Sequence, residues 1–452
     1  MSKRYLYIVV LSIILLAAWL ITSALYPPYA AYFPGLAALL LLDIYFWYSI
    51  RKQVSRWHRI LSFIVTYLYW VPLIILVSMT LASLFVPIES WNAGWRTYLM
   101  GVVFIVYSAK LFAVIFLLLA DLVRVFRHLF RFLKQKKRRV PELPAGKAIS
   151  RSKFMQNIGL LGGGVILSGL IIGMVRWAFD FKIRRVNVAI PHLPPVLDCF
   201  RIVQISDLHL GSWTSHQALE EAVIMINRLD PDLVVFTGDM VNFTSREAWP
   251  FRETLSKIKS WYGIYAILGN HDFGDYVDWD SKEHKEANLR ELEVFYQSIG
   301  WTLLRNRNEI IEIEKDTLAI IGVDNWSAID RFPRYGDLNQ ALKGTENASV
   351  RVLLSHDPTH WETVVMKKHP EIDLTLSGHT HGFQFGVESR NFRWSPAQYM
   401  YRYWAGFYGK RSKSGIQYLY VNRGLGNIGY PGRVGIYPEI SLLTLQPEAQ
   451  EY

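Results

Sequence analysis

The first 180 residues contain five apolar runs: Tyr5 to Tyr26, Tyr29 to Ile50, Ile60 to Val86, Thr97 to Ala120 and Gln156 to Phe179. Each approaches or exceeds the roughly 20 residues that a helix needs to cross the hydrocarbon core of a bilayer. In lipid every backbone N–H and C=O must find its partner within the protein, so runs of this kind are confined to helices. We therefore expect a four-helix transmembrane region over residues 1–123, a basic linker over 124–155 and a fifth transmembrane helix over 156–179. Lys3 and Arg4 precede the first run as in a signal peptide. No small-residue cleavage site follows and a second apolar run begins at once, which favours anchoring. Tyr26, Trp47, Trp57, Trp91, Trp95 and Trp177 gather near the run ends as interfacial belts do. Gly162, Gly163, Gly164 and Gly169 would let the last helix approach a neighbour closely.

Charge sets the expected orientation. Lys3, Arg4, Arg51, Lys52, Arg56, Arg59 and the stretch from Arg124 to Lys153 fall on one side of the spans. The Tyr26 to Tyr29 and Val86 to Trp95 links on the other side hold no Lys or Arg. Basic residues stay on the cytoplasmic side, so the amino terminus is expected inside and everything after the fifth helix outside. Residues 1–182 carry 21 Lys and Arg against 5 Asp and Glu, and the remainder 28 against 33. The overall charge of +11 thus belongs to membrane topology, and no nucleic-acid partner is expected. Around Ser150 to Met155 the sequence is close to a twin-arginine export signal that lacks its second arginine, which leaves the export route open.

Asp43 and Lys110 each lie inside an expected span, where a lone charge is costly. Counted from the outer ends both sit at a depth of about 20 Å. A pair between the second and fourth helices would offset their desolvation.

The chain changes character after residue 182. Five short β-branched apolar runs each end in Asp, His or Asn: Arg201 to Ser206 before Asp207-Leu208-His209, Leu233 to Thr237 before Gly238-Asp239, Gly263 to Leu268 before Gly269-Asn270-His271-Asp272, Arg351 to Ser355 before His356, and Leu374 to Ser377 before Gly378-His379-Thr380-His381. Runs of this kind, followed by helical stretches, read as buried strands of an α/β domain with largely parallel pairing, whose sites form beyond the carboxyl ends. Any one cluster would be unremarkable as a turn or a cap; five at the same end of five strands suggest a metal site. Cys199 is the single cysteine, so no intrachain disulfide can form, and the linker Phe181 to Leu197, with Pro191, Pro194 and Pro195, is expected to open with an edge strand.

The order of these clusters closely resembles that of the calcineurin-like metallophosphoesterases over residues 183–446. The resemblance implies two mixed β-sheets packed face to face and flanked by helices, following the all-α membrane region. It implies that Asp207, His209 and His381 hold one metal ion, that Asn270, His356 and His379 hold a second, and that Asp239 bridges them. Imidazole, carboxylate and amide ligands without cysteine suit Mn, Fe or Zn as the two divalent ions. His271 is implied to be the general acid. Relatives often place a second Asp where Asn242 stands; Asn242 can accept a hydrogen bond but offers no charge, so either Asp272 takes that role or the acid works in a more acidic range, with capping of the following helix as the other reading of Asn242. Arg423, in Asn422-Arg423-Gly424-Leu425-Gly426, is the expected phosphate contact.

The expected function is hydrolysis of a phosphomonoester or phosphodiester by a metal-bound hydroxide, with a lipid-linked substrate among the candidates. The alternative is a membrane receptor or transporter component whose outer domain binds phosphate ligands without turnover. The aromatic segment Phe383 to Tyr408, followed by Lys410, Arg411 and Lys413, reads either as a bilayer-facing rim of the site or as a core hairpin with a basic tip. His216, His284, His360 and His369 show no ligand spacing and are expected at the surface or behind the ligands.

Overall fold

The computed structural model describes residues 3–25, 27–31, 33–133, 151–389, 392–412 and 415–448. The chain forms two compact units, residues 1–85 with 102–169, and residues 86–101 with 170–452.

The first unit is helical. Helices α1 (Lys3–Leu25), α2 (Phe33–Val54), α3 (Arg59–Ser83), α4 (Ala93–Leu133) and α5 (Arg151–Val175) follow the five apolar runs. The last four are long and apolar enough to cross a membrane, while α1 counts as a shorter apolar helix over Ile13–Leu25. Helix α4 continues to Leu133, beyond the expected boundary at residue 123, because Leu122, Val125, Phe126, Leu129 and Phe130 recur at helical spacing among basic residues. Most of the expected linker, with Ser150, lies outside the described residues. Asp43 and Lys110 do pair, Lys110 Nζ donating to Asp43 Oδ1 at 2.5 Å. The hydroxyls of Tyr107 (2.6 Å, to Oδ2) and Tyr69 (3.2 Å, to Oδ1) complete the carboxylate's partners, and Lys110 Nζ lies 4.0 Å from the Tyr69 ring centre. Burial of the pair is thus matched by hydrogen bonds to both partners.

Among the described residues the second unit is built on fourteen strands. In chain order β1 (Lys182–Ile190), β2 (Arg201–Ile205), β3 (Leu233–Phe236), β4 (Ile264–Ala266) and β5 (Thr302–Leu303) are followed by β6 (Arg307–Ile313), β7 (Asp316–Gly322), β8 (Val350–Leu354) and β9 (Leu374–Ser377). A small hairpin of β10 (Val387–Glu388) and β11 (Arg393–Trp394) precedes β12 (Gly406–Ser412), β13 (Gly415–Val421) and β14 (Glu439–Pro447). The two six-stranded sheets have the orders β1-β14-β2-β3-β4-β5 and β12-β13-β9-β8-β7-β6. Their central strands β2, β3 and β4, and β7, β8 and β9, pair in parallel, while antiparallel partners make both sheets mixed. Strand β1 lies at a sheet edge, as its Pro-rich neighbour implied.

The sheets face each other across Ile202, Val235, Ile320, Val352, Leu374, Leu376 and Leu443, all fully buried. Helices α6 (His216–Arg228) and α7 (Lys282–Ser298) cover the outer face of the first sheet through Leu219, Val223, Leu292 and Phe295. Side chains at alternate positions of β2 enter different cores, Ile202 the inter-sheet layer and Val203 the helix layer, so both faces must be apolar. The parallel strands of both sheets end on one rim, and the loops beyond them meet there.

Candidate metal centre

Each expected ligand follows the end of a central strand: Asp207 and His209 after β2, Asp239 after β3, Asn270 after β4, His356 after β8, and His379 and His381 after β9. The turn from strand to ligand is sharp. Asp207, His209, Asp239, His379 and His381 all have positive φ, between 46° and 72°. Non-glycine residues reach this region at a cost, which surrounding structure must sustain and which concentrates at functional sites. Neighbouring glycines allow the loops to touch. A Cβ at Gly378 would lie 2.0 Å from Ser206 Oγ and 2.3 Å from Asp207 Oδ2, and one at Gly269 would lie 2.2 Å from Asp239 Oδ1.

The ligands converge in two groups. Asp207, His209 and His381 bring one ligand atom each within 4.8 Å of one another, and Asp239, His356 and His379 do the same. Asp239 Oδ2 stands 3.5 Å from His209 Nε2 and 3.1 Å from His356 Nε2, between the groups. His209 Nε2 and His381 Nε2 approach to 3.1 Å, and His379 Nδ1 and His356 Nε2 to 3.2 Å. His356 Nδ1 donates to the Thr237 carbonyl at 2.7 Å, which turns its Nε2 toward the cluster.

Two further observations test the fit of cations. Asn270 Oδ1 is buried with no hydrogen-bond partner among the described residues, while its Nδ2 donates to Tyr276 OH at 2.8 Å. An orphaned amide oxygen beside imidazoles and carboxylates suits a cation ligand. The electrostatics agree. Burial alone would lower the His356 pKa, but the nearby carboxylate of Asp239 overrides it and pushes the imidazole up to about 10. Burial would raise Asp239, yet His356 and His271 hold it well below the usual carboxylate range. Burial pushes His209 and His379 down, towards the neutral, ligand form. The pocket thus favours added positive charge and offers neutral imidazoles to receive it.

His271 is tied down by the main chain. Its N–H donates to Asp239 Oδ1 at 2.9 Å, and Nδ1 donates to the backbone carbonyl of Asn242 at 2.9 Å. A carbonyl can only accept, so the contact fixes the proton on Nδ1 and frees Nε2. The Asn242 side chain instead donates to Ser212 Oγ at 2.7 Å, and the short helix at Ser245–Glu247 has no side-chain cap. Asp272 is spent on the loops: its carboxylate accepts from the amides of Asp239, Met240, Val241 and Gly269 at 2.8 to 3.2 Å. Burial, and then the charge of Asp239, push it up to about 7.

Arg423, the expected phosphate contact, has protein partners of its own. It is buried and its guanidinium is paired with Glu439 and, at 2.7 Å, with Glu388. Two carboxylates thus hold its charge within the fold. Of the remaining histidines, His360 is buried against Ser355 Oγ at 2.9 Å, His216 stacks on Phe251, His284 lies in the exposed first turn of α7, and His369 pairs with Glu371. Sequence reasoning did not assign Tyr276, whose ring centre lies 4.4 Å from that of His271, or Tyr401, whose hydroxyl lies 2.8 Å from His379 Nε2. No spacing pattern marks either.

The aromatic segment divides between the two readings. Tyr401, Tyr403 and Trp404 are buried, whereas Phe383, Phe385, Val387, Phe392, Tyr399 and Met400 are exposed. The exposed group starts two residues after His381. Phe385 bridges Val434, and Arg433 beside it donates its N–H to the Gly173 carbonyl in the last turn of α5. Lys413 lies outside the described residues.

A double-sheet α/β domain with these ligands at the carboxyl ends of its central strands defines the class of metallophosphoesterases. Residues 200–383 match the family model described as "Calcineurin-like phosphoesterase", and residues 30–177 match "Probable Calcineurin-like phosphoesterase, transmembrane domain". Residues 200–383 thus carry a calcineurin-like phosphoesterase domain, and residues 30–177 resemble the transmembrane domain found with it. It is 29% identical to the zebrafish "Transmembrane protein with metallophosphoesterase domain" over 67% of this chain and 65% of that protein. It is 29% identical to the "Uncharacterized metallophosphoesterase YkuE" of Bacillus subtilis over 66% of this chain and 99% of that one. It is 28% identical to "UDP-2,3-diacylglucosamine pyrophosphatase LpxG" of Chlamydia trachomatis over 54% of this chain and 83% of that one. The matches span less than two thirds of the zebrafish and bovine relatives' own length.

Proposed function

We propose that the protein hydrolyses a phosphoester bond in a membrane-borne amphiphile. The carrying observation is the convergence of two ligand groups with Asp239 Oδ2 between them. Asp207, His209 and His381 would hold one divalent ion, Asn270, His356 and His379 the other, with Asp239 shared. Ions bound there would supply Lewis acidity toward a phosphoryl oxygen and make a bound water acidic enough to react near neutral pH. His271 contributes the proton. With Nδ1 committed to the Asn242 carbonyl, Nε2 is the nitrogen that can protonate a leaving oxygen.

The amphiphile follows from the surroundings. An exposed apolar rim of Phe383, Phe385, Phe392 and Tyr399 begins beside the ligands and is bridged to a loop that packs on the last turn of a membrane-length helix. Such a rim suits a lipid interface, where acyl chains stay in the bilayer while the head group reaches the cluster. The Chlamydia relative is named for action on a diacylated sugar nucleotide. The topology that serves this reading has five crossings, the amino terminus in the cytoplasm and the catalytic domain outside it.

Full-length protein stripped of metal should be inactive toward bis(4-nitrophenyl) phosphate and regain activity with Mn²⁺. It should also release phosphate or a phosphorylated head group from lipid extracts. Asp239→Asn and His271→Ala should each lose activity by about 10²-fold or more, the first with loss of bound metal and the second without. A metal-replete protein that binds phosphate compounds but turns over neither substrate class would overturn hydrolysis in favour of a phosphate receptor.

A further inference from the structure

Glu247 lies outside the metal cluster, yet its carboxylate holds both loops on which the chemistry depends. Its Oε2 accepts from the amides of Asn242 at 2.6 Å and Phe243 at 3.2 Å, and the Asn242 carbonyl is the acceptor that fixes His271 Nδ1. The same carboxylate lies against Gly211, two residues after the ligand His209; a Cβ there would come within 2.3 Å of it.

The partner of Glu247 comes from residues 86–101, the stretch before the bulk of α4 that groups with the second unit. Arg96 Nη2 donates to Glu247 Oε1 at 2.9 Å, with side chains 4% and 10% exposed. The guanidinium also donates to the carbonyls of Gly211 at 3.2 Å and Glu89 at 3.3 Å, and covers the Phe243 ring at 4.8 Å. Arg96 stands in the first turn of α4, just after the segment that links α3 to α4, and residues 86–101 form one compact unit with residues 170–452. A second contact joins them, Tyr98 OH donating to Thr214 Oγ1 at 3.1 Å. An arginine at this end of a span runs against the charge bias that orients the helices, and a buried guanidinium is stabilising only where its partners are in place.

We infer that Arg96 is a positioning residue for the reaction: through Glu247 it sets the Asn242 carbonyl and thereby the orientation of the His271 imidazole. The inference rests on the hydrolytic reading above. It gives residues 86–101, which lead into α4, a part in positioning the active site.

The test uses the full chain in detergent with two alkyl-aryl phosphodiesters, methyl 4-nitrophenyl phosphate and methyl phenyl phosphate. The second has the poorer leaving group and depends more on a well-placed proton donor. Arg96→Ala should lower kcat on methyl phenyl phosphate by about tenfold or more, lower it much less on the nitrophenyl diester, leave KM within about twofold and retain both metals. Amides of the 240–248 peptide should exchange faster with deuterium in the metal-free protein, and Arg96→Lys should restore most of kcat and protection. Glu247→Gln, nearly isosteric, should show the same leaving-group signature if Arg96→Ala does not fold. Equal losses on both diesters, loss of metal, or amide exchange as slow as in wild type would overturn the inference. A wild-type protein that turns over neither diester would sink the hydrolytic reading instead, and the exchange comparison would still decide the Arg96 link.

Discussion

At the scale of single residues, the site depends on side chains held where they are costly. Five expected ligands sit at positive φ, and what sustains them is hydrogen bonding from the next loop, such as Asp272 gathering four amides. His360 is a separate case. Burial pushes its pKa down from 6.5 to about 4, so the folded protein holds it neutral. Its contribution to stability is complete above pH 6.5 and is lost as pH falls towards 4, because only the unfolded chain takes up the proton. Between pH 7 and pH 4.5 wild type should lose roughly 2.5 kcal/mol more than His360→Gln, measured as the change in urea unfolding free energy. Equal losses would show that the ring titrates normally. The residues that converge in the two clusters were readable because each follows a strand in a fixed motif. The role of Asn242 was not, because a main-chain carbonyl carries no residue identity.

At the scale of elements, strand ends and helix pairs each carry a prediction. Gly378 closes β9 against β2, and a Cβ would overlap Ser206 Oγ and Asp207 Oδ2. Gly378→Ala should keep a folded core and lose metal at the Asp207 group, with occupancy by elemental analysis falling from two ions towards one. Full occupancy would show that the loops can yield. Helices α2 and α4 are joined by Asp43 and Lys110. Lys110→Leu leaves a buried carboxylate without its cation, at a cost of about 3–5 kcal/mol, so its thermal midpoint should fall further than that of the Asp43→Leu, Lys110→Leu double variant. A double variant as unstable as the single one would remove the case for the pair. Both charges were visible in the sequence as polar residues at equal depth in apolar runs, and that made their pairing legible before any coordinates.

At the scale of the whole molecule, metal and fold stabilise each other. Cys199 is exposed and unpaired, so the second unit relies on burial and on what fills the cluster. Metal-free protein should unfold at a lower temperature. At a metal concentration 100 times Kd the gain is about 2.7 kcal/mol per site, or roughly 5–10 °C for a domain of this size, read by near-ultraviolet circular dichroism with and without Mn²⁺. No shift would argue against a site formed only in the folded state. The sequence by itself determined where membrane helices could lie, which strands would be buried on both faces, and which residue types stood at their ends, because hydropathy period and turn chemistry are local properties. Only the tertiary structure decided that Arg423 is spent on Glu388 and Glu439, that the backbone of Asn242 holds His271, and that Arg96 reaches Glu247 from 151 positions away. Those contacts join segments far apart in the chain, and their energy exists only when burial removes the competing water.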